Sequence, residues 1–219
     1  MKIIHALVFA SALFITACNN SNTDSQNRVF NQALFSSYQH RDTSLSEKRT
    51  ELSFSGGVAA KNCSSYLVLA PKHDLEESVN NQIIKSEYLV CDALGLLAGT
   101  RKLDYQDASR SDYGKQLSRK LDLRSFPSSL HRMSDADKYT LNSLFPGQVT
   151  TRGNLAILNT DDWTFRLEVV ASVKLDNNNQ PDWIIWLSDE AKVGNYRAYT
   201  TLVVYNPASD NSFKARVYP

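Results

Sequence analysis

From residue 154 onward, hydrophobic positions recur every second residue. In "WTFRLEVVASVKL", Trp163, Phe165, Leu167, Val169, Ala171, Val173 and Leu175 alternate with mostly polar neighbours. That pattern predicts a long half-buried strand with one apolar face. "DWIIWL" (182–187) is apolar on both faces, which predicts a central strand. "YRAYTTLVVY" (196–205) and "SFKARVY" (212–218) extend this into an antiparallel meander, with Asn206-Pro207 and 209–211 as the last turn.

Before residue 150 the spacing is mainly helical. Phe30, Leu34, Phe35 and Tyr38 form one such stripe. "SSYLVLAP" (64–71) reads as a strand ended by Pro71. Asp74 and Glu77 have the capping-box offset, and Leu75, Val79, Ile83 and Ile84 continue an apolar face. These residues predict a helix from about 75 to 94. Leu117 and Leu121 place a short helix near 109–122, and "SDADKYTLNSLFPG" gives a cleaner one, capped by Ser134 and stopped at Pro146-Gly147. Helices followed by strands predict an α+β domain over residues 29–219. Its helical part covers about 29–150 and its sheet about 151–219, with the helices over one face of the sheet.

The amino-terminal segment changes the picture. "MKIIHALVFASALFITAC" has one lysine and then ten apolar or small residues, 6–15. That run is too short to span a bilayer, which takes roughly 20 helical residues, but it suits a secretory signal. Its end, Ile15-Thr16-Ala17-Cys18, resembles the lipobox of bacterial lipoprotein precursors. The resemblance implies cleavage after residue 17 and lipidation of Cys18. With Asn19 rather than Asp after the Cys, it also implies the outer membrane, with the protein facing the periplasm. Several acyl chains on one Cys hold firmly, since each buried CH₂ contributes ~0.8 kcal/mol. Residues 19–27, "NNSNTDSQN", contain no apolar side chain and read as a flexible tether.

Charge excludes some classes. Loss of residues 1–17 removes one of the 24 basic residues and none of the 23 acids. A neutral remainder argues against a nucleic-acid partner. Cys63 and Cys91 are the cysteines left. In an exported chain they most simply form a disulfide, closing a loop of about 29 residues and stabilising by roughly 3.6 kcal/mol in the chain-entropy account. A buried free thiol and a catalytic Cys are the alternatives.

The loop "KLDNNNQPDW" (174–183) joins the two strongest strands. It resembles a degenerate D-x-D-x-D-G calcium loop, with Asp176, Asn178 and Asp182 at ligand positions. Lys174 stands at the first ligand position, where an ammonium would repel the ion or replace it by pairing with Asp176 or Asp182. A plain hairpin turn, a weak calcium site and a partner-binding loop all remain open. Otherwise no metal, cofactor or catalytic residue is expected.

His40, His73 and His131 show no metal-ligand spacing with one another. His73 with Asp74 or Glu77 is a weak zinc candidate beside the plainer reading of a surface histidine. Trp183 and Trp186 must face opposite sides of their strand. Trp186, with Asp189 and Glu190 just beyond, is the candidate binding surface. The expectation is a non-catalytic binding or scaffold lipoprotein of the cell envelope, holding an envelope protein or cell-wall component. Alternatives are an envelope hydrolase with an unrecognised site and a calcium-dependent surface protein.

Overall fold

The computed structural model describes residues 27–176, 178, 180–207 and 211–219. The expected signal, Cys18 and the tether through residue 26 lie outside the described residues. In chain order the elements are β1 (Arg28–Val29), α1 (Gln32–Gln39), α2 (Arg41–Ser46), β2 (Leu52–Phe54), β3 (Val58–Ala60), α3 (Cys63–Leu69), α4 (Val79–Lys85), α5 (Leu89–Leu96), β4 (Asp104–Tyr105), α6 (Tyr113–Lys120) and α7 (Leu141–Leu144). Then come β5 (Val149–Arg152), β6 (Leu155–Asn159), β7 (Trp163–Val173), β8 (Asp182–Ala191), β9 (Arg197–Val204) and β10 (Ala215–Tyr218). Short 3₁₀ turns at Leu123–Ser125 and His131–Met133 flank a loop that matters below.

The fold is α+β. Strands β7 to β10 form the expected meander, in the order β10-β9-β8-β7, and β1 and β4 extend the sheet beyond β7. The β5–β6 hairpin also pairs with β7, so the free edge of β7 is shared. Strand β6 takes residues Thr164–Glu168, and β1 takes Ala171 and Ser172.

A bulge between Val169 and Ala171 separates those two pairings. Asn154 secures it, accepting from the Val169 N–H through its carbonyl at 3.0 Å and donating its side-chain amide to the Val169 carbonyl at 2.9 Å. The Val170 carbonyl accepts from the Phe30 N–H. An extra residue reverses the side-chain alternation. Phe165, Leu167 and Val169 therefore join one core, while Val170, Ala171 and Val173 join another. The expected single apolar face of this strand is corrected to two half-faces.

Two cores follow, one on each side of the sheet. On the first face, α6, α7 and the 3₁₀ turns cover a cluster in which Trp183 sits edge-on between Tyr113 (5.1 Å) and Phe213 (5.2 Å). Gly114 brings α6 close, because a Cβ there would lie 1.9 Å from the Leu155 carbonyl oxygen. On the second face, α1, α3 and α5 cover a cluster around Tyr66, Tyr88 and Leu94. Helical structure on both faces, not one, is why β8 is apolar on both sides.

Two local expectations are also corrected. "SSYLVLAP" is a helix, α3, because Asn62 accepts from the Ser65 N–H and starts it with a capping box. The expected helix from 75 starts later, at Val79 under the Ser78 cap. Residues 74–76 instead bond to the β2–β3 hairpin, with the Ser55 N–H donating to the Asp74 carbonyl and the Glu76 N–H to the Ser53 carbonyl. The helix expected under Ser134 is α7, capped by Thr140.

A disulfide joins Cys63 on α3 to Cys91 on α5, both fully buried. Beside it lies a buried ionic cluster. Asp92 accepts from Lys85 Nζ (2.7 Å), the Tyr66 hydroxyl (2.6 Å) and the Thr201 hydroxyl (2.9 Å). Burial first, then the Asp92 charge, pushes the Tyr66 phenol up, so it stays a neutral donor. This cluster ties α3, α4 and α5 to β9. Among the described residues no helix is long and apolar enough to cross a membrane.

Candidate functional site

A hollow of about 740 Å³ opens on the first face of the sheet. Ala198 and Thr200 of β9 floor it. One wall is the loop 124–132, the other the Trp163–Tyr196 pair, whose ring centres are 5.3 Å apart. Each wall has a local cause. Arg124 is clamped by a two-pronged pairing with Asp122, both contacts 2.8 Å, and lies 4.2 Å over the Tyr139 ring. Those bonds from Arg124 hold the Asp122 carboxyl below the usual range. His131 Nδ1 lies 3.2 Å from the Phe126 carbonyl and closes the loop on itself.

Asp189 organises the cleft from beneath. It is fully buried and accepts four bonds. These come from the Ser129 N–H (2.7 Å), the Ser129 hydroxyl (2.7 Å), Trp163 Nε1 (2.6 Å) and the Tyr196 hydroxyl (3.3 Å). A buried carboxylate needs such donors to offset its desolvation. Here they also orient both rings and the loop. Burial, then the Asp189 charge, pushes the Tyr196 phenol up to about 12. The Ser128 hydroxyl, in the same wall, is buried without a protein partner. Arg132 is exposed and forms no ion pair with a described residue.

The residues read from sequence as one binding surface are distributed over both faces. Asp189 points into the first. Trp186 and Glu190, three residues before it and one after, lie on the second. Trp186 is half-buried in a separate hollow of about 270 Å³ with Arg166 and Glu168. There Trp186 Nε1 and Arg166 Nε are buried without protein partners. Glu190 lies 3.8 Å from Arg197 Nε. Adjacent on a strand, Asp189 and Glu190 do not face each other across a cleft.

The 174–183 loop is a hairpin connection. Asp182 is fully buried, with one oxygen accepting from the Leu175 N–H (2.9 Å) and the other from the Asn206 N–H (2.9 Å). It thus pins this turn to the one after β9. Asp176 accepts from the backbone and side chain of Asn178, both at 3.0 Å. Lys174 forms an ion pair with neither Asp176 nor Asp182. Residues 177 and 179 lie outside the described residues. Among the described residues no three His, Cys, Asp or Glu side chains gather as a metal site, and His73 lines a small hollow beside Tyr66 and Lys85.

Sequence reasoning passed over the loop wall. "RSFPSSLHR" (124–132) carries no motif, and only its Pro and paired Ser hint at a turn. The chain matches no family model, no curated protein and no solved structure.

Proposed function

We propose that the protein is an outer-membrane lipoprotein, anchored through Cys18, whose folded part binds a ligand in the Trp163–Tyr196–Arg132 cleft without chemical turnover. The cleft's use of Asp189 carries this reading. The carboxylate that could serve as acid or base is instead buried and spent on four protein donors. Catalytic carboxyls must exchange protons with substrate; this one positions rings. His131 is occupied with a backbone carbonyl rather than with Ser128, Ser129 or Asp189. What remains for a ligand is a preorganised aromatic pair and the exposed Arg132 guanidinium, which suits recognition. The lipobox resemblance and the ligand-sized cleft together support an envelope adaptor that holds a protein or cell-wall component near the membrane.

The test is crosslinking in living host cells, followed by recovery of the full chain and mass spectrometry. One envelope protein or cell-wall fragment should be recovered reproducibly and lost in Cys18→Ala. Recovery of no partner, or equal recovery from Cys18→Ala, contradicts the tethered-adaptor reading.

A further inference from the structure

The hollow around Trp186 lies on the second face of the sheet, separate from the cleft of Trp163 and Tyr196. Its floor is two neighbouring rows of β7, β8 and β9. Glu168 stands opposite Trp186 in one row, and Arg166, Ser188 and Tyr199 stand side by side in the next. Arg166 and Trp186 are therefore diagonal neighbours on one face, a spacing that long side chains bridge. Asn31, just before α1, and Leu89 and Val90 of α5 wall one side. The helical layer gives out beyond them, since Thr164, Glu190 and Arg197 in the following row are partly exposed. The polar groups of the hollow are unevenly used. Glu168 is buried, and its two oxygens take one donor each, Asn31 Nδ2 at 3.0 Å and the Arg166 guanidinium at 2.6 Å. A carboxylate has about four lone-pair sites, so accepting capacity is left over. Trp186 Nε1 and Arg166 Nε, by contrast, are buried donors with no protein acceptor. Each costs free energy unless something accepts from it.

We propose that this hollow binds one uncharged pyranose ring, as a second site on the opposite face of the sheet from the cleft. Its charges cancel, Arg166 against Glu168 and, in the following row, Glu190 against Arg197. A carboxylate ligand would meet both acids, and an ammonium would meet the two unpaired N–H groups. A sugar hydroxyl accepts one hydrogen bond while donating another. It therefore fits between an N–H that lacks an acceptor and a carboxylate with spare lone pairs, which Trp186, Arg166 and Glu168 offer together. Trp186 packs on the second core and also lines the hollow. Its indole sets an apolar surface beside one N–H, which matches the C–H face and hydroxyl edge of a sugar ring. Size points the same way. The hollow's volume of about 270 Å³ falls just below the ~300–1,000 Å³ of sites for drug-sized ligands, which leaves room for one ring rather than a chain of them. Several waters, each taking ~30 Å³, would also fill it, and the test separates the two.

The test is an NMR titration of the purified full chain, in detergent, carrying isotope-labelled tryptophan. Trp163, Trp183 and Trp186 supply the indole N–H signals, and Trp163→Phe and Trp186→Phe assign two of them by their loss. The probes are the methyl glycosides of glucose, galactose, mannose and N-acetylglucosamine at millimolar concentration, with glucuronate, glucosamine and N-acetylglycinamide in parallel. At least one methyl glycoside should move the Trp186 signal saturably and leave that of Trp163 in place. Trp186→Phe and Arg166→Lys each remove one unpaired N–H while keeping the ring or the charge. Each should weaken that sugar by about three- to tenfold, read from the sugar's own signals, with the remaining indole signals showing that the fold is kept. Where Trp186→Phe fails to fold, Arg166→Lys carries the comparison. A Trp186 signal that no methyl glycoside moves means that water alone meets these donors, and it overturns the inference. Full affinity in the folded variants overturns it too, as does a response confined to Trp163, which places the sugar in the other cleft. Tighter binding of glucuronate or glucosamine overturns the uncharged assignment, and equal binding of N-acetylglycinamide overturns the ring.

Discussion

Trp163 and Asp189 sit on neighbouring strands, and the indole N–H of the first donates to the carboxylate of the second over 2.6 Å. Both are held by the same β7–β8 pairing, in which Phe165 opposes Asp189 and Trp163 opposes Ala191. The bond fixes one wall of the cleft, and the two Ser129 donors fix the other to the same carboxylate. Asp189→Ala should therefore disturb both walls at once. It strands three close donors and should cost about 3 kcal/mol. Urea unfolding midpoints with unchanged slope would measure this, alongside a shift in Trp emission. Asp189→Asn, which keeps an acceptor, should cost less.

The Lys85–Asp92 pair should behave differently from a surface salt bridge. Both partners are buried, with side-chain exposures of 9% and 0%. Removing one leaves an uncompensated buried charge, so Asp92→Ala should cost about 3–5 kcal/mol. Lys85→Met combined with Asp92→Ala should cost clearly less than the two single changes added together. A double-mutant cycle on unfolding free energies checks this; strict additivity would show that the two groups are not coupled.

The Cys63–Cys91 bond closes a segment whose ends are 28 residues apart. It ties α3 to α5 in the helical layer of the second face. Reduction, or Cys63→Ala with Cys91→Ala, should lower stability by about 3–4 kcal/mol. Unfolding curves with and without a reducing agent would show the loss in the native chain and none in the double variant.

Asp122 gives a pH signature. The bonds from Arg124 depress its folded-state pKa below the unfolded carboxylate value. Its contribution to stability is thus complete above the unfolded value, ~3.9, and is lost as pH falls through the depressed folded value. The stability difference between the native chain and Asp122→Asn should be constant near neutrality and shrink below about pH 4. A difference that instead grows as pH falls would contradict the pairing.

Much of this architecture is legible from residue patterns. The period-two runs after residue 154 are strands, and the Cys63–Cys91 bond matches the pairing expected if the chain is exported and keeps two cysteines in its folded part. The bulge at Val170 is not legible, because its cause is Asn154 and Phe30, distant in sequence and brought in by pairing on the shared edge of β7. "SSYLVLAP" misleads because a short apolar run has no period long enough to separate helix from strand, and the Asn62 cap decides it. Asp74 imitates a cap, yet the β2–β3 hairpin claims its backbone. At the site, Asp189 is visible as a residue of interest, but not as a buried one. The period-two rule already separates it from Trp186 and Glu190. The wall from Arg124 to Arg132 has no periodic signal, since it is a loop held by Asp122 just before it and by Asp189 from a distant strand.

The account turns on the cleft as the place where a partner is held. A photoreactive phenylalanine derivative at Tyr196, 39% exposed on the cleft rim, tests this in the full chain inside its host. The control position is Val68, 57% exposed on α3 of the opposite layer. The account predicts a discrete crosslinked species from position 196 that is absent from position 68 and diminished by Arg132→Glu. Capture from position 68 with none from 196, or equal capture from both, would contradict it.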